Sequence, residues 1–280
     1  MRALATAPQY NNSRFYRGRA AGGIPLHTDE AFAEMRIAGR IAAETLDFIT
    51  PHVQPGVTTE YLDRLVQEFM LDHGGIPATI GYRGYRHASC ISVNHVATHG
   101  IPGPKVLADG DILNIDVTPM HNGWHGDTSR MYVAGTPSVK AQKLIDATFE
   151  AMWAAIRLVR PGARIGDLGA AQENTALAHR CSVVTDFCGH GVGQMFHTSP
   201  EVAFHGTPGT GPILEPGMFF TIEPMVNAGR PDVKVLPDGW TTVTRDRSLS
   251  AQFEHTVAVT ETGYEIFTLS PAGLDRPRWS

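Results

Sequence analysis

The 280 residues hold an ordinary apolar share, 42%, and a net charge of -5 with both signs interspersed. That length can bury a substantial core, and that charge lacks the basic footprint that nucleic-acid binding requires. With no stretch near the roughly 20 apolar residues of a membrane span and no charged start plus apolar core of a signal peptide, a cytoplasmic chain without membrane or specific nucleic-acid partners is expected.

The first 26 residues are rich in Gly, Ala, Asn and Arg and show no apolar period, which predicts a mobile arm. Arg2, Arg14, Arg17 and Arg19 raise a transient contact with ribosomal RNA, although simple solvation is favoured. A single domain over 27–270 and a tail over 271–280 complete the expected organisation. From Asp29 to Ile49, Phe32, Met35, Ala42, Leu46 and Ile49 recur at helical spacing, with Asp29 and Glu30 at the positive end. Pro51 and Pro55-Gly56 stop that helix. A second follows with Leu62, Leu65, Val66, Phe69 and Met70 on one face, ended by Gly74-Gly75. The pattern then returns: Leu144, Ile145, Thr148, Met152, Ile156 and Val159 mark a long helix, Pro161-Gly162 breaks it, and a Gly/Ala-rich helix runs from about Asp167 to His179. Cys90, Cys181 and Cys188 form no CxxC pair, so reduced thiols are expected.

"VATHGIPG" at 96–103 and "VAFHGTPG" at 202–209 lie 106 residues apart, as do the two Pro-Gly breaks. Asp116, ending "DGDILNID", and Glu223, ending "EPGMFFTIE", are 107 apart. Order and interval held together across three motifs indicate an internal duplication. Each half reads helix, break, helix, then short alternating strands, which predicts an α+β domain of curved antiparallel sheets covered by helices.

Asn122-Gly123 is a two-residue hairpin signal. Such a turn sets Asp116 opposite Ser129 and Asp127 opposite Thr118, so the two aspartates become diagonal neighbours, roughly 6 to 8 Å apart at the backbone. Glu254, in "SAQFEHTVAV", lies on a strand able to pair beside Glu223, with about 20 extra residues in the second hairpin. His190 sits among glycines in "CGHGVG", which permit close backbone approach. Each carboxylate alone reads as a surface charge. Together on one buried face they would repel and be costly to desolvate unless a cation binds. Two divalent metal ions would neutralise four charges, and carboxylates with one imidazole suit Mn, Fe, Co or Zn. A metal-bridging hydroxide would be a nucleophile near neutral pH. No GxSxG elbow, HExxH helix or GxxxxGK[ST] loop offers another chemistry. A glycosidase would need only the two aspartates.

In order, "HGIP", "NIDVT", "HGDTS", "GHGVG", "FTIEPM" and "AQFEHT" closely resemble the type I methionine aminopeptidases of the pita-bread metallopeptidase fold, from about Asp29 to Thr268. The resemblance implies pseudo-symmetric halves over about 29–134 and 138–268. It implies that Asp116, Asp127, His190, Glu223 and Glu254 ligate two metals, with Asp127 and Glu254 bridging, Asp116 on one metal, and His190 and Glu223 on the other. It further implies removal of an N-terminal methionine from peptides or nascent chains whose second residue is small, by a monomer. His197 would hold the oxyanion, His99 would bond the scissile nitrogen, and Glu223 would carry the proton to the leaving amine. Tyr82, Tyr85, Cys90, Phe196 and Trp240 match positions that line the methionine pocket. Thr79 and Thr98 depart from frequent cysteines, and Arg86 and His95 from a proline and a glutamate near the entrance. His125 is expected behind the ligands, and His205, the repeat partner of His99, as scaffold. Xaa-Pro peptidases share the fold but usually add an N-terminal domain too large for this chain. Non-catalytic members typically lose ligands, and none is missing here.

Overall fold

A computed structural model describes residues 14–279. Helix α1, Asp29–Ile49, begins where the Thr28 hydroxyl accepts from the Ala31 amide, with Asp29 and Glu30 in its first turn. Met35, Ala42, Leu46 and Ile49 form its buried face, as their spacing predicts. Helix α2, Thr59–Asp72, is capped by Thr58 and closes at Gly74, whose φ of 78° places it in the left-handed region. Helix α3, Val139–Ile156, is capped by Ser138. Helix α4, Ile165–Ala178, starts two residues before the expected Asp167, because the Asp167 carboxylate turns back to accept from the Arg164 amide at 2.9 Å.

The duplication is visible in the fold. α2 and α4 each have 14 residues and start 106 apart. The short strands after them, Ile76–Pro77 and Ser182–Val183, keep that interval. In the first half, Ile112–Val117 pairs antiparallel with both Ser89–Val93 and Thr128–Val133. In the second, Thr198–Ala203, Cys188–Gly191, Phe219–Ile222, His255–Val259 and Tyr264–Ile266 form five antiparallel strands in that order. Each half has its own apolar core: Leu46, Leu62, Val66, Leu113 and Ile115 in one, Leu144, Met152, Leu168, Phe220 and Phe253 in the other. A two-residue bridge, Ser129 with Glu254, joins the sheets of the two halves. None of the helices among the described residues is long and apolar enough to cross a membrane.

The expected extra residues of the second half form a hairpin, Val233–Val235 with Thr242–Thr244. Its second strand pairs with Val96–Thr98, so the insertion crosses to the first half and carries Trp240 with it. From residue 14 onward, the N-terminal segment departs from the mobile arm expected over 1–26. Tyr16–Arg19 pairs with Pro25–His27, Tyr16 and Ile24 are buried, and Arg17 bonds the Pro216 carbonyl and Glu261. Apolar residues this sparse show no period, yet each fills a gap in a surface built by distant chain. Arg2 lies outside the described residues. In the C-terminal segment, the Trp279 indole donates to the Asp146 carboxylate on α3 at 3.0 Å.

Gly126 sets how closely α1 approaches the strands beneath it. A Cβ at this position would lie 2.2 Å from the Ala38 carbonyl oxygen and 2.7 Å from the Gly39 nitrogen. We expect Gly126→Ala to lower stability by about 2 kcal/mol in urea denaturation, as for overpacking against backbone. A loss within the error of the measurement would show that α1 has room to withdraw.

Candidate active site

A cavity of about 680 Å³ opens at the seam between the halves. Asp116, Asp127, His190, Glu223 and Glu254 line it, and so do His99, His197, Tyr82, Tyr85, Cys90, Phe196 and Trp240. Sheet register accounts for the convergence. Asp116 pairs with Ser129 as the Asn122-Gly123 turn predicts, and Thr118 donates to Asp127 Oδ1 at 2.8 Å. The second half differs in detail from expectation. Ile222 pairs with His255 and Met225 with Gln252, which sets Glu223 directly across from Glu254 rather than on a diagonal. Pro224, lacking an N–H, breaks the strand at that point.

Ligand atoms of Asp127, His190 and Glu254 all lie within 4.8 Å of one another. His190 Nε2 is 3.5 Å from Asp127 Oδ2 and 3.6 Å from Glu223 Oε1. The same ring places Nδ1 3.1 Å from the Gly191 carbonyl, an acceptor, so Nδ1 carries the proton and Nε2 presents a lone pair. Burial holds this imidazole neutral, with its pKa lowered to about 4. Burial likewise pushes Asp127 up to about 7 and raises Asp116, Glu223 and Glu254 well above the usual carboxylate range. A lone pair and four carboxylates therefore face one small space. No Lys or Arg forms an ion pair with any of the four among the described residues. This donor set fits divalent cations of the hard or borderline kind.

Neutral donors hold the carboxylates in place. Thr221 Oγ1 donates to Glu223 Oε1 at 2.7 Å and accepts from the His190 amide at 2.9 Å, and Gln252 Nε2 donates to Glu223 Oε2 at 3.1 Å. Across the seam, Thr128 donates to the Glu254 carbonyl and Thr256 to the Asp127 carbonyl. Sequence reasoning placed Thr118 opposite Asp127 without giving it a role, and passed over Thr221 and Gln252. Their signal was their position, in the same short strands as the acids.

The histidines fall into two groups. His27 bonds the Gly217 carbonyl, His125 the Gly193 carbonyl, and His255 the Thr268 hydroxyl. His125 stacks behind Phe196 and does not line the cavity. His99 and His197 line the cavity and have no hydrogen bond to another described residue. Burial lowers their pKa to about 4 and about 3, so both rings are neutral and keep an N–H to donate. His99 holds a φ of 54°, unusual for a residue other than glycine. His205 is outside the cavity; its carbonyl lies 2.2 Å from where a Cβ on Gly169 of α4 would be. Tyr82 stacks on His197 with ring centroids 5.2 Å apart, and Tyr85 meets Trp240 edge-on at 4.9 Å. Thr79 and Thr98 line the cavity, whereas Arg86 and His95 do not. Phe187 and Cys188, just before the glycine run, were also missed as lining residues.

The chain matches metallopeptidase family M24 over residues 33–261. It is 53% identical over 255 residues to the methionine aminopeptidase of Rickettsia prowazekii, covering 91% of this chain and 98% of that one. The chain belongs to metallopeptidase family M24, in its methionine aminopeptidase branch. The methionine aminopeptidase of Escherichia coli K12 is 47% identical over 248 residues, 88% of this chain and 94% of its own. The crystal structure of the Rickettsia protein superposes with a TM-score of 0.87 over 88% of this chain and all of that one. A prolidase from Pyrococcus furiosus, 22% identical with a TM-score of 0.70, covers 87% of this chain and 65% of its own, and shares the M24 fold alone.

A raised carboxylate pKa stabilises the fold below the ordinary carboxylate value and loses that contribution as pH rises through the folded value. For Asp127 the window runs from 3.8 to about 7. Asp127→Asn keeps an oxygen for Thr118 and removes the titration. In chelator, the variant should gain stability over the parent as pH rises across that window. Denaturation at pH 5 and pH 7 checks this; a difference independent of pH would show that Asp127 does not bear the buried charge.

Proposed function

We propose that the protein is a monomeric, cytoplasmic aminopeptidase that removes N-terminal methionine from nascent proteins and peptides with a small second residue. Asp116, Asp127, His190, Glu223 and Glu254 would hold two divalent ions, among which the donor set accepts Co, Mn, Fe or Zn. The carrying observation is the His190 lone pair set among four carboxylates of one cavity beside two imidazoles with no hydrogen bond to another described residue. When bound, the ions supply Lewis acidity and lower the pKa of water.

The remaining work falls to the chain's own side chains. The substrate enters amino end first, and the methionine side chain lies among Tyr82, Tyr85, Cys90, Phe196 and Trp240, whose rings and sulfur suit a thioether. His197 donates to the oxygen that gains charge as the scissile carbonyl becomes tetrahedral. His99, through the ring nitrogen that carries no proton, accepts from the N–H of the scissile nitrogen and holds it in line. Glu223, fixed by Thr221 and Gln252, accepts the proton of the attacking water and returns it to the leaving amine. Neutral imidazoles serve this role better than charged ones, which the ions would repel. For the N-terminal arginines, the Arg17 bonds to Pro216 and Glu261 favour a structural role over a ribosome contact.

Chelation should abolish release of methionine from Met-Ala-Ser, and a divalent metal should restore it. If the loaded protein leaves Met-Ala-Ser intact and cleaves an Ala-Pro peptide, the activity is that of an Xaa-Pro peptidase.

His99→Ala should lower turnover about a hundredfold with metal binding retained, the size of one lost transition-state hydrogen bond. His205→Ala should stay near the parent rate. Equal losses in steady-state assays would show that both copies of the repeat are used.

A further inference from the structure

Arg83 is the one basic side chain, Lys or Arg, among the residues lining the cavity, and it has no part in the reaction just described. It is exposed, and no carboxylate lies within ion-pair distance of it among the described residues. Its guanidinium lies over the ring of Tyr82, 5.4 Å from the centroid, while the same ring stacks on His197. The backbone holds it there deliberately. Arg83 has a φ of 46° between Gly81 and Gly84, both also at positive φ, in a turn closed by Gly81 N to Tyr85 O at 2.7 Å and Tyr85 N to Tyr82 O at 2.9 Å. A side chain in the left-handed region costs roughly 1 kcal/mol or more, and the turn that imposes it sets the Arg83 backbone at the wall of the cavity.

On the aminopeptidase reading, two divalent ions cancel the four carboxylates, and the charge of Arg83 stands unopposed where the substrate leaves the cavity. The ammonium end points inward, so the chain beyond the scissile bond passes this guanidinium. We propose that Arg83 is a specificity-determining residue that binds a substrate carboxylate beyond the scissile bond, either an acidic side chain at the third residue or the terminal carboxylate of a short peptide. A guanidinium presents paired donors matched to a carboxylate.

The test measures dissociation constants by calorimetry for amidated Met-Ala-Asp-Ser, Met-Ala-Lys-Ser and Met-Ala-Ser-Ser carrying a reduced, uncleavable Met-Ala bond, with the free acid of the last as a further arm. The parent protein should bind the aspartate peptide about two- to fivefold more tightly than the lysine peptide at low salt, the size of one exposed ion pair. That ratio should fall to about one in Arg83→Asn, which tolerates positive φ, and invert in Arg83→Glu. A preference of the free acid over its amide, lost in the same variants, assigns the terminal carboxylate and also supports the site. Either of two results overturns it: ratios unchanged in Arg83→Asn, or an equal drop in Arg86→Asn, which would mean diffuse surface charge. Turnover of Met-Ala-Ser reports separately on the aminopeptidase reading, so the two can fail independently.

Discussion

Everything in this fold answers to the cost of placing four carboxylates in one small cavity. The chain treats these acids differently from its structural ones. Asp47 is neutralised by the buried guanidinium of Arg130 at 2.8 Å and by the Ser270 hydroxyl. Of the cavity acids, Asp127 and Glu223 receive neutral donors, Thr118, Thr221 and Gln252. An internal guanidinium would have stabilised the empty protein and closed the site to cations. Threonine and glutamine orient a carboxylate without quenching its charge, which leaves a divalent ion as the partner that relieves the repulsion.

Duplication supplied the opposed acids, and a later asymmetry made one chemistry of them. Asp116 and Glu223 enter from corresponding strands, and the Ser129–Glu254 bridge locks the halves so that Asp127 and Glu254 meet at the seam. The hairpin inserted in the second half has no counterpart in the first. By pairing with Val96–Thr98 it brings Trp240 against His99 and Tyr85 and walls the cavity on one side. At the corresponding place in the second half, His205 meets the glycine face of α4, where Gly166 and Gly169 leave no room for side chains. One phrase thus became a wall of the site and its copy a packing surface.

What the sequence made legible follows from which forces are local. Caps, breaks and apolar period determine α1 and α2, and the Asn122-Gly123 turn fixes the register that brings Asp116 to Ser129. Those signals act within a few residues. The opposition of Glu223 and Glu254 was harder, because the Pro224 break and the inserted hairpin separate the two strands, and no turn residue states their register. The Tyr16–Arg19 strand was illegible for a related reason: Tyr16 bonds Gln194 and Ile24 joins a core built mostly by the second half, so their neighbours in sequence show no pattern. Arg83 illustrates a third limit. Flanking glycines announce a turn, but only the tertiary placement of that turn shows that it faces the cavity.

The histidines show why a perturbed pKa does not by itself mark a working residue. His27, His190, His197, His99 and His255 are all depressed by burial, to values near 3 or 4. What separates them is where the polar atoms go. The Nδ1 atoms of His27 and His255 lie at hydrogen-bond distance from protein oxygens, and these rings stack among aromatics as core. His190 gives one nitrogen to a carbonyl and turns the other toward carboxylates. His99 and His197 keep both nitrogens for whatever enters the cavity. Ring nitrogens that open on the cavity, rather than a depressed pKa, set His99 and His197 apart from His27 and His255, whose polar atoms are spent in the core.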